Sequence, residues 1–254
     1  MAGNTTRPGV SVSSRLLALL AAFDPEHRRL TLTELARRAD VPLTTAHRLV
    51  RELVTWGALA PAPSGGYVVG RRLWDVGLLA PVQADLREVA SPFLHDIYGA
   101  TLATVHLAVR DGTRALYLDR LAGHASVPVV SSVGARLPLH ATGVGKVLLA
   151  HAPPEVQAEV LADLTPVTPY TVTQPGRLAR QLAQVRRDGY AQTADEMTLG
   201  ACSVAVPVRD GAGDEGVVAA LGLVVADLRR DRDRLVAALR VAAQGVGRSL
   251  RASR

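Results

Sequence analysis

Hydroxyl and basic side chains recur at close spacing between residues 33 and 51, and their chemistry suits contact with double-stranded DNA. Arginine donates paired hydrogen bonds to a guanine edge or to phosphate oxygens, and threonine hydroxyls bond to phosphates. The pattern therefore predicts a DNA-contacting group that consists of Thr33, Thr44, Thr45, His47, Arg48 and Arg51.

Two short helices separated by a tight break would hold these side chains. We expect the first helix to start from an N-cap at Thr33, and a break at Pro42, which disfavours helical geometry at the residue before it. A second helix, capped by Thr44, should run to about Trp56. Its apolar stripe is Ala46, Leu49, Val50, Leu53 and Val54, so the polar groups lie on its other sides. This arrangement matches a helix-turn-helix, whose second helix enters the major groove.

A hairpin is predicted directly after these helices. Gly57 is suited to end the second helix, and two short apolar runs then flank the turn-rich segment 63–66. A further apolar helix over 12–23 would pack behind the pair. Together these elements predict a winged helix-turn-helix. The alternative interpretation is a helical hairpin and a β-turn inside an ordinary fold.

The charge distribution agrees with a DNA-binding segment. The 254 residues carry a formal net charge of +6, and 48% of them are hydrophobic. Residues 1–80 contain 10 basic and 6 acidic residues, whereas the remaining 174 contain 19 and 17. The basic excess is thus concentrated where the helix-turn-helix is predicted, as a DNA footprint requires. A solvated arginine-rich surface would give the same modest excess.

Cysteine content and hydropathy indicate the compartment. A single cysteine, Cys202, excludes an internal disulfide framework. No apolar run reaches the ~18 residues that a membrane span needs. Residues 1–10 have no apolar core of a signal peptide and are expected to form a disordered arm. We therefore expect a soluble, cytoplasmic protein without a membrane partner.

The remainder of the chain mixes strand and helix patterns. Residues 73–90 read as a helical linker broken near Pro81, and Ser91 and Pro92 resemble the start of a further helix. Predicted strands cover 101–109, 115–121, 127–133, 203–208 and 217–226, and predicted helices cover 143–150, 154–162, 177–187 and 235–250. Because these patterns interleave without a strict βαβ repeat, we expect an antiparallel α+β fold.

Sites of catalysis, cofactor or metal binding find little support. The segment from Gly143 to Lys146 fails as a P-loop, since His140 occupies a required glycine position and Val147 replaces Ser or Thr. Neither HExxH nor CxxC occurs. Cys202 with His140 could supply a nucleophile, but a lone cysteine beside an apolar strand is more often a small core residue. We expect no catalytic residue, no metal and no cofactor.

Two longer motifs resemble those of a known family. The run Leu137-Pro-Leu-His-Ala-Thr-Gly-Val-Gly-Lys-Val-Leu-Leu-Ala150 is similar to the effector-domain hallmark of IclR-type transcriptional regulators. The run from Arg187 to Glu196, with Gly200 and 204–208, resembles the second hallmark. The resemblance implies a winged helix-turn-helix at 11–72, a helical linker at 73–90 and a GAF-like effector-binding domain at 91–252.

The resemblance also implies partners and site residues. It implies a homodimer or homotetramer, an operator, and a small-molecule effector bound near Leu137, Gly143, Val144, Thr193, Ala201, Ser203, Gly222 and Val224. Some family members carry hydroxyls at the last two positions and an acid at Thr193. This difference favours an organic acid with an aromatic or aliphatic body over a small polar keto acid.

The role of Gly143 and Gly145 has two interpretations. These residues open a helix whose free backbone amides could hold a carboxylate. Alternatively, they only permit tight packing of that helix against a strand.

The functional hypothesis is therefore a ligand-responsive DNA-binding regulator rather than an enzyme. Dimer contacts are expected from the first helix and from the linker, with exposed Leu73, Val76 and Leu79. The alternative is a metabolite-binding protein or enzyme with an accessory winged helix. The lack of an acid-base or nucleophile constellation favours the regulator.

Overall fold

The structure, a computed structural model, describes residues 11–24, 26–78, 84–123, 126–210 and 216–253. The chain divides into two compact units, which meet in sequence between Val82 and Gln83. The predicted arm at 1–10 and the predicted break near Pro81 lie outside the described residues. Helices and antiparallel strands are both present, so the predicted α+β class is confirmed.

The N-terminal unit is the predicted winged helix-turn-helix. Its elements are α1 (Val12–Ala21), β1 (Arg29–Leu30), α2 (Leu32–Arg38), α3 (Leu43–Trp56), β2 (Leu59–Pro61), β3 (Tyr67–Val69) and α4 (Arg71–Leu78). The strands form an antiparallel sheet in the order β1-β3-β2. Leu19 of α1, Leu35 of α2 and Leu49 of α3 are at most 1% exposed and form the centre of the core. Helix α1 ends at Ala21, two residues before the predicted end.

The starts of α2 and α3 differ from the sequence prediction. Thr31, not Thr33, caps α2: its hydroxyl accepts from the Glu34 amide at 3.3 Å, while its own amide donates to the Glu34 carboxylate at 2.8 Å. This reciprocal pair satisfies more donors than a cap at Thr33 would. Helix α3 starts after Pro42 without any side-chain cap, so Thr44 lies inside its first turn. The predicted end is confirmed, because Gly57 adopts a left-handed φ of 87°.

The C-terminal unit contains a curled antiparallel sheet between two layers of helices. Its elements are α5 (Ala84–Thr101), β4 (Thr104–Asp111), β5 (Arg114–Leu121), β6 (Arg136–Pro138), α6 (Gly143–Ala150), α7 (Pro154–Ala162), α8 (Pro175–Asp188), β7 (Ala191–Ala194), β8 (Cys202–Arg209), β9 (Val217–Val225) and α9 (Arg232–Ala252). The strand order is β6-β5-β4-β9-β8-β7.

Alternation along the strands divides the core in two. Val105 and Leu107 of β4 point to a cluster that includes Leu94 of α5 and Leu239 of α9. Ala108 points to the other face, where Val147 of α6 and Leu182 of α8 are buried. Two-residue periodicity explains this division, because successive strand side chains face opposite sides of the sheet.

Several predicted boundaries in this unit are wrong. Pro92 lies inside α5 rather than at a helix start, because the buried stripe of Ala90, Leu94 and Ile97 keeps the helix continuous despite one lost hydrogen bond. The predicted strand at 127–133 is irregular, and a short strand forms at 136–138 instead.

Two further differences concern the strands. Strand β4 starts at Thr104 rather than residue 101, since α5 extends to Thr101 and Leu102 then adopts a left-handed φ of 51°. Strand β7 was not predicted at all.

Candidate functional site

The outer side of α3 presents all of the predicted DNA-contacting side chains except Thr33, which lies on α2. His47, Arg48 and Arg51 are exposed, as are Thr33 and Thr44, whereas Thr45 is half-buried. Within the described residues, Arg48 and Arg51 have neither a hydrogen bond nor an ion pair. The buried stripe of α3 explains this orientation, since one face packs into the core and turns the polar positions outward.

The hairpin beside α3 is held in a defined conformation. The Ala62 amide donates to the Gly66 carbonyl at 2.9 Å, and Arg29 of β1 donates to the Ser64 hydroxyl in the hairpin loop. Gly66 has a φ of +79°, and a Cβ added there would lie 2.8 Å from the Leu30 carbonyl oxygen. Glycine at this position therefore permits the loop to approach β1, and the hairpin can act as a preformed wing.

Helices α1 and α4 leave large apolar side chains in solvent. Leu17 of α1 is 61% exposed, while Trp74 and Val76 of α4 are 60% and 48% exposed. Leu73, which was expected to be exposed, is half-buried against the core of this unit because α4 turns it inward. Leu79 lies outside the described residues.

A cavity lies between the start of α6 and the sheet of the C-terminal unit. All eight residues that the family resemblance assigned line it, namely Leu137, Gly143, Val144, Thr193, Ala201, Ser203, Gly222 and Val224. The cavity has a volume of ≈ 50 Å³, counted as the space that the centre of a water molecule can occupy. That is several times the ~10–15 Å³ that one water occupies on the same measure, so the cavity suits a small molecule.

The first turn of α6 offers backbone donors to this cavity. The Thr142 hydroxyl caps the helix by accepting from the Gly145 amide at 3.1 Å, and the Lys146 amide donates to the Thr142 carbonyl at 2.9 Å. Among the described residues, the amides of Gly143 and Val144 have no acceptor. A helix start of this kind attracts an anion.

The glycines of this region also have a packing role. A Cβ at Gly143 would lie 2.5 Å from the Ser203 hydroxyl, and one at Gly145 would lie 2.5 Å from the Leu139 carbonyl oxygen. A Cβ at Gly222 would lie 2.8 Å from a Val144 methyl group. The packing interpretation of these glycines therefore holds on geometry alone, and it is compatible with free amides at the same turn.

Sequence reasoning missed polar residues at the other side of the cavity. His106 is 3% exposed, its Nε2 lies 2.7 Å from the Ser131 hydroxyl, and its ring meets the Tyr117 ring edge-on at 5.0 Å. Burial, with a smaller effect of the Arg120 charge, lowers the pKa of His106 to about 3. Burial raises the pKa of Tyr117 to about 12. Both side chains are therefore neutral at pH 7, and the described lining of the cavity contains no Lys, Arg, Asp or Glu.

A buried ion pair holds segment 195–201, which covers one side of the cavity. Lys146 Nζ lies 2.6 Å from Glu196 Oε1 and 2.9 Å from Gln181 Oε1, and the two charged side chains are 1% and 8% exposed. Burial lowers the pKa of Lys146, and the nearby Glu196 carboxylate opposes this shift. The Thr171 hydroxyl donates to the Glu196 carbonyl at 2.7 Å. These bonds fix the segment 195–201, from which Met197, Thr198 and Ala201 line the cavity.

The remaining reactive groups do not assemble into a further site. The Cys202 thiol is half-buried, and its pKa is raised chiefly by burial. His140 Nε2 lies 3.0 Å from the Thr165 carbonyl oxygen. Among the residues that the structure describes, no three His, Cys, Asp or Glu side chains are grouped as a metal site requires. In the same residues, no helix has the length and apolar character to cross a membrane.

Two family models match this chain. The model described as "Bacterial transcriptional regulator IclR C-terminal" matches residues 80–248, which include the cavity. The model described as "IclR helix-turn-helix domain" matches residues 13–63, which include α2 and α3.

Individual proteins with similar sequences and structures include regulators from several bacteria. The chain is 31% identical to the HTH-type transcriptional regulator XynR of Escherichia coli strain K12, over 88% of this chain and 89% of XynR. It is 37% identical to an IclR homologue of Microbacterium hydrocarbonoxydans crystallised with 4-hydroxybenzoate, with a TM-score of 0.89 over 95% of this chain and 100% of the other. It is 28% identical to the IclR of Thermotoga maritima, with a TM-score of 0.77 over 94% and 98% of the two chains.

Proposed function

Since this chain belongs to the IclR family of bacterial transcriptional regulators, we propose that its α3 face binds an operator and that a small organic acid in the C-terminal cavity modulates this binding. The protein is a transcriptional regulator with an N-terminal helix-turn-helix and a C-terminal effector domain. The observation that carries the proposal is the cavity itself, which gathers all eight effector positions implied by the resemblance. We propose no catalytic activity, and the relatives it matches are transcriptional regulators.

The DNA side of the proposal rests on Thr33, Thr44, Thr45, His47, Arg48 and Arg51. Arg48 and Arg51 are exposed on the second helix of the motif. A guanidinium in this position can form two hydrogen bonds to guanine. We propose that the preformed wing beside α3 contacts the DNA backbone.

Replacing Arg48 with alanine should weaken operator binding by about 1–3 kcal/mol and relax base preference at one position. The probe is a duplex that the unmodified protein selects from a random pool, and affinities are measured by fluorescence anisotropy at fixed salt. Arg180→Ala removes one exposed arginine from α8 and serves as the control for net charge. Equal affinities for the Arg48→Ala and unmodified proteins would contradict the assignment.

Three observations support an aromatic or aliphatic carboxylic acid as the effector. The cavity walls include Leu137, Val144, Ala201 and Val224, which favour an aromatic or aliphatic body. The free amides of α6 suit one carboxylate. The similar Microbacterium protein was crystallised with 4-hydroxybenzoate, an acid of this kind.

We expect 4-hydroxybenzoate to stabilise the protein more than glyoxylate does. At 100 times the dissociation constant, binding should add about 2.7 kcal/mol to the free energy of unfolding, which a thermal-shift assay detects. Ala201→Phe should fill the cavity and abolish the shift. Leu199→Phe provides the matched control, because Leu199 is 60% exposed in the same segment. A full shift in the Ala201→Phe protein would place the ligand elsewhere.

We also propose that the protein is at least a homodimer, through α1 and α4. The exposed Leu17, Trp74 and Val76 are apolar groups that a second copy would cover. A two-fold dimer also reads two half-sites of a palindrome.

Light scattering at micromolar concentration should therefore give twice the chain mass or more. Trp74→Glu combined with Val76→Glu should shift the mass toward the monomer by placing charges in an apolar interface. Val241→Glu, on the exposed side of α9, is the control. A monomeric unmodified protein would refute the proposal.

A further inference from the structure

The cavity has a second polar position that is separate from the start of α6. It consists of His106 on β4 and Ser131 on the irregular segment before β6, whose side chains are 2.7 Å apart. Both residues are at most 6% exposed, and both line the cavity. Among the described residues, this bond is the one side-chain hydrogen bond that either residue makes.

Tyr117 lines the cavity beside the His106–Ser131 pair. Its ring meets the His106 ring edge-on, with an interplanar angle of 87° and 5.0 Å between the ring centroids. The start of α6, with Thr142, Gly143 and Val144, lines the same cavity. A flat ligand that spans the cavity could place one polar group at each position.

We propose that the His106–Ser131 pair determines specificity by recognising an uncharged hydroxyl group on the effector, at a position distinct from that of its carboxylate. The inference rests on the proposed function, since it assumes an acid bound at α6. It adds a chemical class: a monocarboxylate that carries one hydroxyl on an aromatic or similarly rigid body.

The chemistry of the pair matches a hydroxyl better than an anion or an apolar group. A neutral imidazole has one donor and one acceptor nitrogen, and a serine hydroxyl can both donate and accept, so the pair can satisfy both functions of a ligand hydroxyl. Arg120, the cross-strand neighbour of His106, disfavours the imidazolium form. Arg120 is not among the described residues that line the cavity, so a second carboxylate here would lose its hydration without a cationic side chain of that lining in direct contact. A methyl group would leave the pair without a partner for its remaining hydrogen-bonding capacity.

Calorimetric titration of the full chain with three probes tests the inference. The probes are 4-hydroxybenzoate, 4-methylbenzoate, which replaces the hydroxyl by a group of similar size, and benzoate. We expect the unmodified protein to prefer 4-hydroxybenzoate to 4-methylbenzoate about tenfold, as one hydrogen bond to a buried neutral group allows. Ser131→Ala should reduce this preference to less than twofold; because the preference is a ratio of two affinities in the same variant, a general loosening of the segment that carries Ser131 does not change it.

Two further variants complete the test. His106→Phe keeps a ring in the same space and should also remove the preference. This second variant keeps the test decisive if the Ser131→Ala protein misfolds. Ser132→Ala changes an exposed hydroxyl on the next residue and should retain the full preference. The inference would be overturned if the preference for 4-hydroxybenzoate persisted in both Ser131→Ala and His106→Phe, or if the unmodified protein showed no such preference. Either outcome would leave the proposed effector class, an organic acid, unaffected. Absence of binding by all three benzoates would instead contradict the proposed effector class, and the inference with it.

Discussion

Replacing Lys146 with methionine should destabilise the C-terminal unit by about 3–5 kcal/mol. The substitution leaves the Glu196 carboxylate buried without its counter-charge, and an unpaired buried charge is one of the most costly changes in a protein. Glu196 Oε2 already lacks a hydrogen-bond partner among the described residues, so no second donor replaces the lost ammonium group. The segment 195–201 should loosen at the same time.

Urea unfolding can assign this loss to one unit. Both tryptophans, Trp56 and Trp74, lie in the N-terminal unit, so their fluorescence reports that unit while circular dichroism reports the whole chain. The double substitution Lys146→Met with Glu196→Leu should recover most of the stability, because a buried pair can be replaced by apolar side chains at small cost. Arg136→Ala breaks an exposed ion pair with Asp111 and should cost at most about 1 kcal/mol. A Lys146→Met protein as stable as Arg136→Ala would contradict the prediction.

Gly145→Ala should destabilise the same unit by about 1–3 kcal/mol, although alanine is the better helix former. The added Cβ would lie 2.5 Å from the Leu139 carbonyl oxygen and 2.7 Å from Leu139 Cα, and backbone atoms cannot move aside as a flexible side chain can. The cap between Thr142 and the Gly145 amide would also be disturbed, because the same Cβ meets the Thr142 hydroxyl.

Gly176→Ala provides a matched comparison for this change. Gly176 lies in the first turn of α8, and a Cβ there meets nothing within 4 Å. We expect the free energy of unfolding of the Gly176→Ala protein to stay unchanged or to rise by up to about 1 kcal/mol, since alanine restricts the unfolded chain. Thermal unfolding should therefore give a lower midpoint temperature for Gly145→Ala than for the unmodified protein, and an equal or higher one for Gly176→Ala. Equal midpoint temperatures for the two variants would contradict the prediction and would show that α6 can move away from Leu139.

Local chemistry explains which parts of the fold were predictable from sequence. Gly57 and Gly189 end their helices with left-handed φ values of 87° and 70°, a role that glycine fills at little cost whatever surrounds it. The buried stripe of α3 is likewise a property of spacing within one helix. These two helix ends and the apolar stripe of α3 were predicted correctly from such short-range patterns, whereas the N-caps predicted at Thr33 and Thr44 were not.

Long-range packing explains the failures. Pro92 reads as a helix start by itself, but burial of α5 against α9 and the sheet decides the outcome. His106, Tyr117 and Ser131 come from two strands and an irregular segment, and they meet only because β4 pairs with β5 and residue 131 folds over both. One sequence signal could have indicated a polar surface on this face of β4. Thr104 and His106 are polar residues two positions apart in an otherwise apolar strand.

The two segments that cover the cavity differ in how firmly they are held, and this difference concerns the kinetics of ligand exchange. Segment 195–201 is fixed by the buried ion pair, by two threonine hydroxyls and by a backbone bond from Asp195 to Ala201. Segment 127–131, among the described residues, has no backbone hydrogen bond and is held by the Ser131 side chain. Local opening of 127–131 should therefore require less free energy than opening of 195–201. We expect a ligand to enter and leave past Ser131, so that the residue proposed to contact its hydroxyl would also govern its residence time.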